Sequence, residues 1–130
     1  MSRQKFWERI EKSLEKNSVF GTGGCILWTG ATNQYGYGRK QVTWPDGTKS
    51  EVKVHRLAFM KANNMIKGEI PSHDGHDDPL DVSHLCHNKL CMNVAHLVLE
   101  SRATNNDRKH CWHLHRCSGQ HEPHCVFQQH

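Results

Sequence analysis

Between residues 83 and 96 the chain reads SHLCHNKLCMNVAH, two cysteines and three histidines in fourteen positions. Cys86, Cys91 and His96 fall at even five-residue steps, and His84 and His87 flank the first of them. Donors at that density restrict the fold strongly, because they point to a metal ion or to disulfides. The rest of the chain calls for such a clip. Hydrophobic residues make up 35% of the 130, with a mean hydropathy of -0.78. That is a thin core for a chain of single-domain length.

Six cysteines would suit disulfides in a secreted protein. Met1, however, is followed by Ser-Arg-Gln-Lys and a charged segment, with no apolar run of signal-peptide or membrane-spanning character. The expectation is an intracellular protein, in the nucleus of a eukaryotic cell or in the cytoplasm for a prokaryotic or viral source, with no membrane partner. There, interleaved Cys and His read as zinc ligands. A structural zinc takes four tetrahedral N or S donors. Cys86, Cys91 and His96 supply three, and Cys111, Cys117 and Cys125 supply three more, with one histidine to come from His113, His115, His121 or His124. Cys25 remains, and assigning it to the first group makes two Cys₃His centres with no cysteine unused.

His84 falls outside this count. Strand alternation puts it on the same side as Cys86, near the site. It reads either as a spare surface histidine or as an imidazole placed to act as a general base at neutral pH.

Along the chain, residues 2–17 place Phe6, Trp7, Ile10 and Leu14 on one helical face, with Ser2 as N-cap and GTGG (21–24) closing the segment. CILWTG (25–30) reads as a short strand. Two alternating runs around the turn PDG then read as a β-hairpin, so that 25–56 forms a strand and hairpin. Val42, Trp44, Val52 and Val54 share its apolar side, and Arg39, Gln41, Thr43, Lys49, Glu51 and Lys53 share the other. Such a polar ribbon suits base edges and phosphates in a major groove. It is also the ordinary finish of a solvated sheet, and from this segment alone that is the expectation. Residues 54–64 turn helical, with Leu57, Ala58 and Met60 packing inward. The loop 68–81 carries His73, Asp74, His76, Asp77 and Asp78, read as solvated. VSHL and HLVLES are strands, RATNNDRKH is a polar helix, and the tail from 111 to 125 needs a clip to fold. The formal charge is +4 with a pI near 8.8. Bound thiolates would lower that charge, so its distribution says more about partners than its sum.

SHLCHN, the following C and N, HL, ES and N closely resemble the His-Cys box homing endonucleases, a branch of the His-Me finger (ββα-metal, HNH-like) nucleases. WTGATNQYGYGR and VHRLAF are similar to small HNH-type nucleases of the same superfamily. The resemblance covers about Cys25 to Cys125. It implies an α+β fold: a zinc-stabilised single nuclease domain over 1–130, with a ββα-metal unit over 82–110 and a zinc loop over 111–125. It further implies an Mg²⁺-dependent DNA endonuclease that leaves 5′-phosphate and 3′-hydroxyl ends and prefers certain sequences. His84 matches the catalytic histidine that activates water, and Asn105 the asparagine that binds the one catalytic Mg²⁺, with Asn106 as the neighbouring register. Two structural Zn²⁺ ions are implied, one on Cys25, Cys86, Cys91 and His96 and one on Cys111, Cys117, His121 and Cys125. Asn93 matches the asparagine that ties the zinc loop across its hairpin. Lys49 matches the basic residue on the scissile phosphate, with Arg39 and Arg56 as competitors. Arg39, Gln41, Thr43, Lys49 and Lys53 would meet double-stranded DNA. Dimeric members use a long tail after the last ligand, where this chain has five residues, so a homodimer here would use the N-terminal helix. The competing readings are a non-catalytic zinc-stabilised DNA-binding module and a protein-interaction zinc domain, the latter leaving the hairpin face unexplained.

Overall fold

The computed structural model describes residues 2–73 and 79–114, together with 123 and 125. Asp74, His76, Asp77, Asp78, Cys117 and His121 lie outside the described residues. The architecture is α+β, with three helices and three two-stranded antiparallel sheets among the described residues. In chain order the elements are α1 (Arg3–Lys16), β1 (Ser18–Phe20), β2 (Ile26–Trp28), β3 (Arg39–Thr43), β4 (Lys49–Lys53), α2 (Val54–Ala62), β5 (Leu80–His84), β6 (Leu97–Ser101) and α3 (Arg102–Leu114).

α1 forms because its apolar residues recur at helical spacing and its first turn is capped. Ser2 Oγ accepts the Lys5 N–H at 3.2 Å. Phe6, Trp7, Ile10 and Leu14 are all buried, each contributing about 1.5–3 kcal/mol by leaving water. Phe6 packs on Trp44 with ring centroids 5.4 Å apart, which ties α1 to the hairpin. The helix ends at Lys16 against Asn17, before the glycines. The chain then forms β1, a strand absent from the sequence reading, which pairs with β2 from Ser18↔Trp28 to Phe20↔Ile26.

β3 and β4 pair in the register the alternation required: Arg39↔Lys53, Gln41↔Glu51 and Thr43↔Lys49. Gly47, at a φ of +89°, lets the turn close. Trp44 N–H donates to Thr48 O at 2.8 Å, and Asp46 Oδ1 accepts the Thr48 N–H at 3.0 Å. Val54 does not extend β4, because α2 starts there, directly after Lys53. That change of direction buries Val54, Leu57, Ala58 and Met60 and carries His55 and Arg56 inward.

β5 and β6 pair from Leu80↔Ser101 to His84↔Leu97, and α3 follows without a break, a ββα unit. Ser101 Oγ accepts the Thr104 N–H at 3.2 Å, starting the helix. Arg108, itself 1% exposed, reaches back to Glu100 with bonds of 2.6 and 2.8 Å. α3 is thereby held to β6 by a buried, bidentate ion pair. No helix of the described residues is long and apolar enough to cross a membrane.

Candidate metal centre and catalytic cleft

Cys25, Cys86, Cys91 and His96 are all buried, and their ligand atoms lie within 4.8 Å of one another. Three chain segments converge to make the cluster. The 3₁₀ turn Val94–His96 presents His96, and the bend after β5 presents Cys86. Cys25 arrives through β2, because Leu27 bridges Cys91, Met92 N–H donates to Ile26 O at 2.7 Å and Trp28 N–H to Leu90 O at 2.9 Å. His96 Nδ1 lies 3.5 Å from Cys91 Sγ and 3.7 Å from Cys25 Sγ. Tetrahedral zinc with ordinary Zn–S and Zn–N bonds sets a sulfur–nitrogen edge of about 3.5 Å. The donor types and spacing therefore fit zinc. The thiols share their protons unequally: hydrogen bonding from Cys86 lowers the Cys91 pKa, and the same contact raises that of Cys86. Asn93 ties the loop to a distant segment rather than across its own hairpin, donating through Nδ2 to Gly24 O at 2.7 Å.

His84, two residues before Cys86, is buried but is not one of the four clustered ligands. Its Nε2 lies 3.1 Å from Cys91 O. A carbonyl only accepts, so Nε2 carries the proton and Nδ1 keeps its lone pair. Burial, partly offset by that bond, lowers the His84 pKa to about 4. The ring is neutral at physiological pH. His55 repeats the arrangement: its Nε2 donates to Val82 O at 3.0 Å, and its ring centroid lies 4.2 Å from that of His84. Tyr37 stacks on both, at 5.4 Å from His55 and 6.1 Å from His84. Lys53 and Lys89 place their ammonium groups 5.0 and 5.2 Å from the Tyr37 centroid. Lys89 is anchored to Tyr35 O at 2.9 Å.

This assembly borders a cleft of about 740 Å³ between the hairpin, α2, β5 and α3. Its lining includes Tyr37, His55, Asn105 and Asn106, six cations (Lys53, Arg56, Lys67, Lys89, Arg102, Lys109) and two carboxylates (Glu51, Asp81). His84 does not line it directly and meets it through the His55 and Tyr37 rings. Asn105 stands in the first turns of α3, its Nδ2 3.3 Å from Asp81 Oδ2. Asp81 also faces Arg102, with two bonds of 3.3 Å.

The remaining sequence candidates are placed as follows. Lys53 reaches the cleft, while Lys49 sits opposite Thr43 at the turn end of β4 and does not line it. Arg39 donates to Glu51 at 3.0 Å and to Thr32 O at 3.0 Å, so its charge is engaged within the sheet face. Gln41 and Thr43 are exposed beside it. Of the second ligand group, Cys111 is buried on α3 and Cys125 Sγ lies 3.6 Å from Arg108 Nη1; Cys117 and His121 fall outside the described residues. Sequence reasoning passed over Tyr37, Asp81, Lys89, Arg102 and Lys109. The one carboxylate in β5 was the readable sign, since Asp81 stands three positions before His84 on the same strand.

The chain is similar to known proteins. Residues 25–130 match the family described as the zinc-binding loop region of homing endonuclease. Two proteins of Escherichia phage T7 are similar. Protein 2.8 is 34% identical over 99 residues, covering 76% of this chain and 58% of that protein. Protein 7.7 is 34% identical over 83 residues, covering 64% of this chain and 52% of that protein. The chain thus spans little more than half the length of these relatives.

Proposed function

Because the chain belongs to the homing-endonuclease zinc-binding loop family, as its match over residues 25–130 shows, we propose that it is a DNA endonuclease. In this reading 1–130 acts as one nuclease domain that hydrolyses phosphodiester bonds of double-stranded DNA to 5′-phosphate and 3′-hydroxyl ends. The observation that carries it is the fixed imidazole of His84 beside a cationic cleft that also contains Asn105.

His84 acts as general base. Its Nε2–H is held by Cys91 O, so the cysteine cluster sets the direction of the opposite nitrogen, which takes a proton from the attacking water. Zinc on Cys25, Cys86, Cys91 and His96 would be structural, and Cys111, Cys117, His121 and Cys125 would hold a second zinc. Asn105 would hold one Mg²⁺ through its amide oxygen, a hard donor. When bound, that ion supplies charge neutralisation at the phosphate and at the leaving 3′-oxygen. Lys53 and Arg56, which line the cleft, grip the phosphate in place of Lys49, which does not. Lys53, Gln41 and Thr43 extend the DNA contact along the hairpin. Both similar proteins come from a phage, which supports work in the cytoplasm of a bacterial host.

The test is a plasmid-nicking assay with Mg²⁺. Wild-type protein should convert supercoiled plasmid, and His84→Ala should lose about two to four orders of magnitude in rate while keeping its zinc and fold. Equal rates would exclude His84 as base. No cutting by either protein would favour a zinc-held DNA-binding module without catalysis.

A further inference from the structure

Asp81 and Asn105 meet inside the cleft, Oδ2 to Nδ2 at 3.3 Å, one from β5 and the other from α3. Among the described residues the other carboxylate lining the cleft, Glu51, is paired with Arg39 at 3.0 Å. A carboxamide alone is a weak anchor for a doubly charged ion among so many lysines and arginines. Magnesium-like ions are usually held by one or two carboxylates, with water and substrate phosphate completing the shell. We propose that Asp81 and Asn105 together hold the catalytic divalent cation, and that Arg102 is the counter-ion this cation displaces. The inference rests on the reading of Asn105 given above and adds to it the charged ligand.

The Arg102–Asp81 contact has the character of a replaceable partner. Both bonds are 3.3 Å and the Arg102 side chain is 60% exposed. The Arg108–Glu100 pair, between the same helix and β6, is short, bidentate and buried. An exposed, long pair contributes little and exchanges readily. The Asn105 amide has its nitrogen toward Asp81, an orientation that follows from the hydrogen-bond pattern. A half-turn of that amide would bring its oxygen to the carboxylate side, where a cation would draw it. Asp81 offers a carboxylate oxygen, the kind of hard donor that such an ion takes.

Mn²⁺ is a suitable probe, because its loss of free EPR signal reports binding without DNA and without cleavage. Zinc-loaded full chain is titrated as wild type, Asp81→Asn, Asn105→Ala and Arg102→Ala, with zinc content and circular dichroism confirming that each is folded. Asp81→Asn keeps the shape and removes the charge, and is expected to weaken Mn²⁺ by about tenfold or more. Asn105→Ala should weaken it similarly, and Arg102→Ala should match or exceed wild-type affinity. Unchanged affinity in Asp81→Asn with a loss in Asn105→Ala overturns the proposal and leaves the Asn105 reading intact. A loss in Arg102→Ala equal to that in Asp81→Asn also overturns it, since Asp81 would then act only by fixing Arg102. Wild-type affinity in both Asp81→Asn and Asn105→Ala, or no Mn²⁺ bound by wild type, removes the Asn105 reading as well.

Discussion

Single side chains here carry unequal weight, and Arg108 is the largest fully buried one among the described residues. Its guanidinium is buried with the Glu100 carboxylate, and both satisfy each other with short bonds. Removing one partner leaves the other charged and unpaired in the interior. Arg108→Ala should therefore cost about 3–5 kcal/mol, whereas replacing both Arg108 and Glu100 by methionine should cost far less. Urea unfolding of the two variants checks this. His55 behaves differently, because its cost is a matter of protons. Burial, then the neighbouring His84, hold its pKa well below the ordinary value. Below about pH 6.5 the unfolded chain takes up a proton that the folded chain resists, so stability rises with pH and falls on acidification. The slope from this one group reaches about 1.4 kcal/mol per pH unit, and His55→Gln should be flatter by that amount. Urea midpoints between about pH 7 and about pH 5, with zinc content followed in parallel, measure the difference.

At the scale of elements, the hairpin carries the proposed DNA contact, and the loop before it brings Tyr37 to the cleft. Lys53 lines the cleft and Gln41 lies exposed opposite Glu51. Lys53→Ala should weaken DNA binding for all sequences and lower the salt slope by about one, as a lost phosphate contact does. Gln41→Ala should alter sequence preference and leave that slope unchanged. Salt titrations on two duplexes of different sequence separate the cases, and no effect from either change would return the hairpin to a solvated surface. The loop that carries Tyr37 depends on a close approach. A Cβ on Gly38 would lie 2.6 Å from Trp28 Cδ1 and 3.2 Å from Val54 Cβ. Trp28 and Val54 are both buried, so neither can yield cheaply. Gly38→Ala should destabilise by about 1–3 kcal/mol, read as a lower melting temperature.

For the whole molecule, the cysteine cluster substitutes for core that the composition does not supply. It joins β2, the bend after β5 and the turn before β6. Strong chelation should unfold the chain, and Cys86→Ala should lose a zinc together with the fold, while His84→Ala should lose neither. Zinc analysis beside circular dichroism decides, with two zinc ions per chain expected. What the sequence by itself determined are the features written into local spacing. The α1 face, the hairpin register, the β5–β6–α3 order and three of the first four ligands were legible because helix, strand and ligand periods repeat within a few residues, and Cys25 joined them by cysteine count. Tertiary structure alone decided which charges share the cleft. Lys53 enters it and Lys49 does not, because α2 begins directly after Lys53 and folds that end of β4 inward. Asp81 meets Asn105 across 24 positions of chain, and His55 meets Val82 across 27. Those encounters depend on strand register and helix packing acting together, and no local period records where two distant side chains end up.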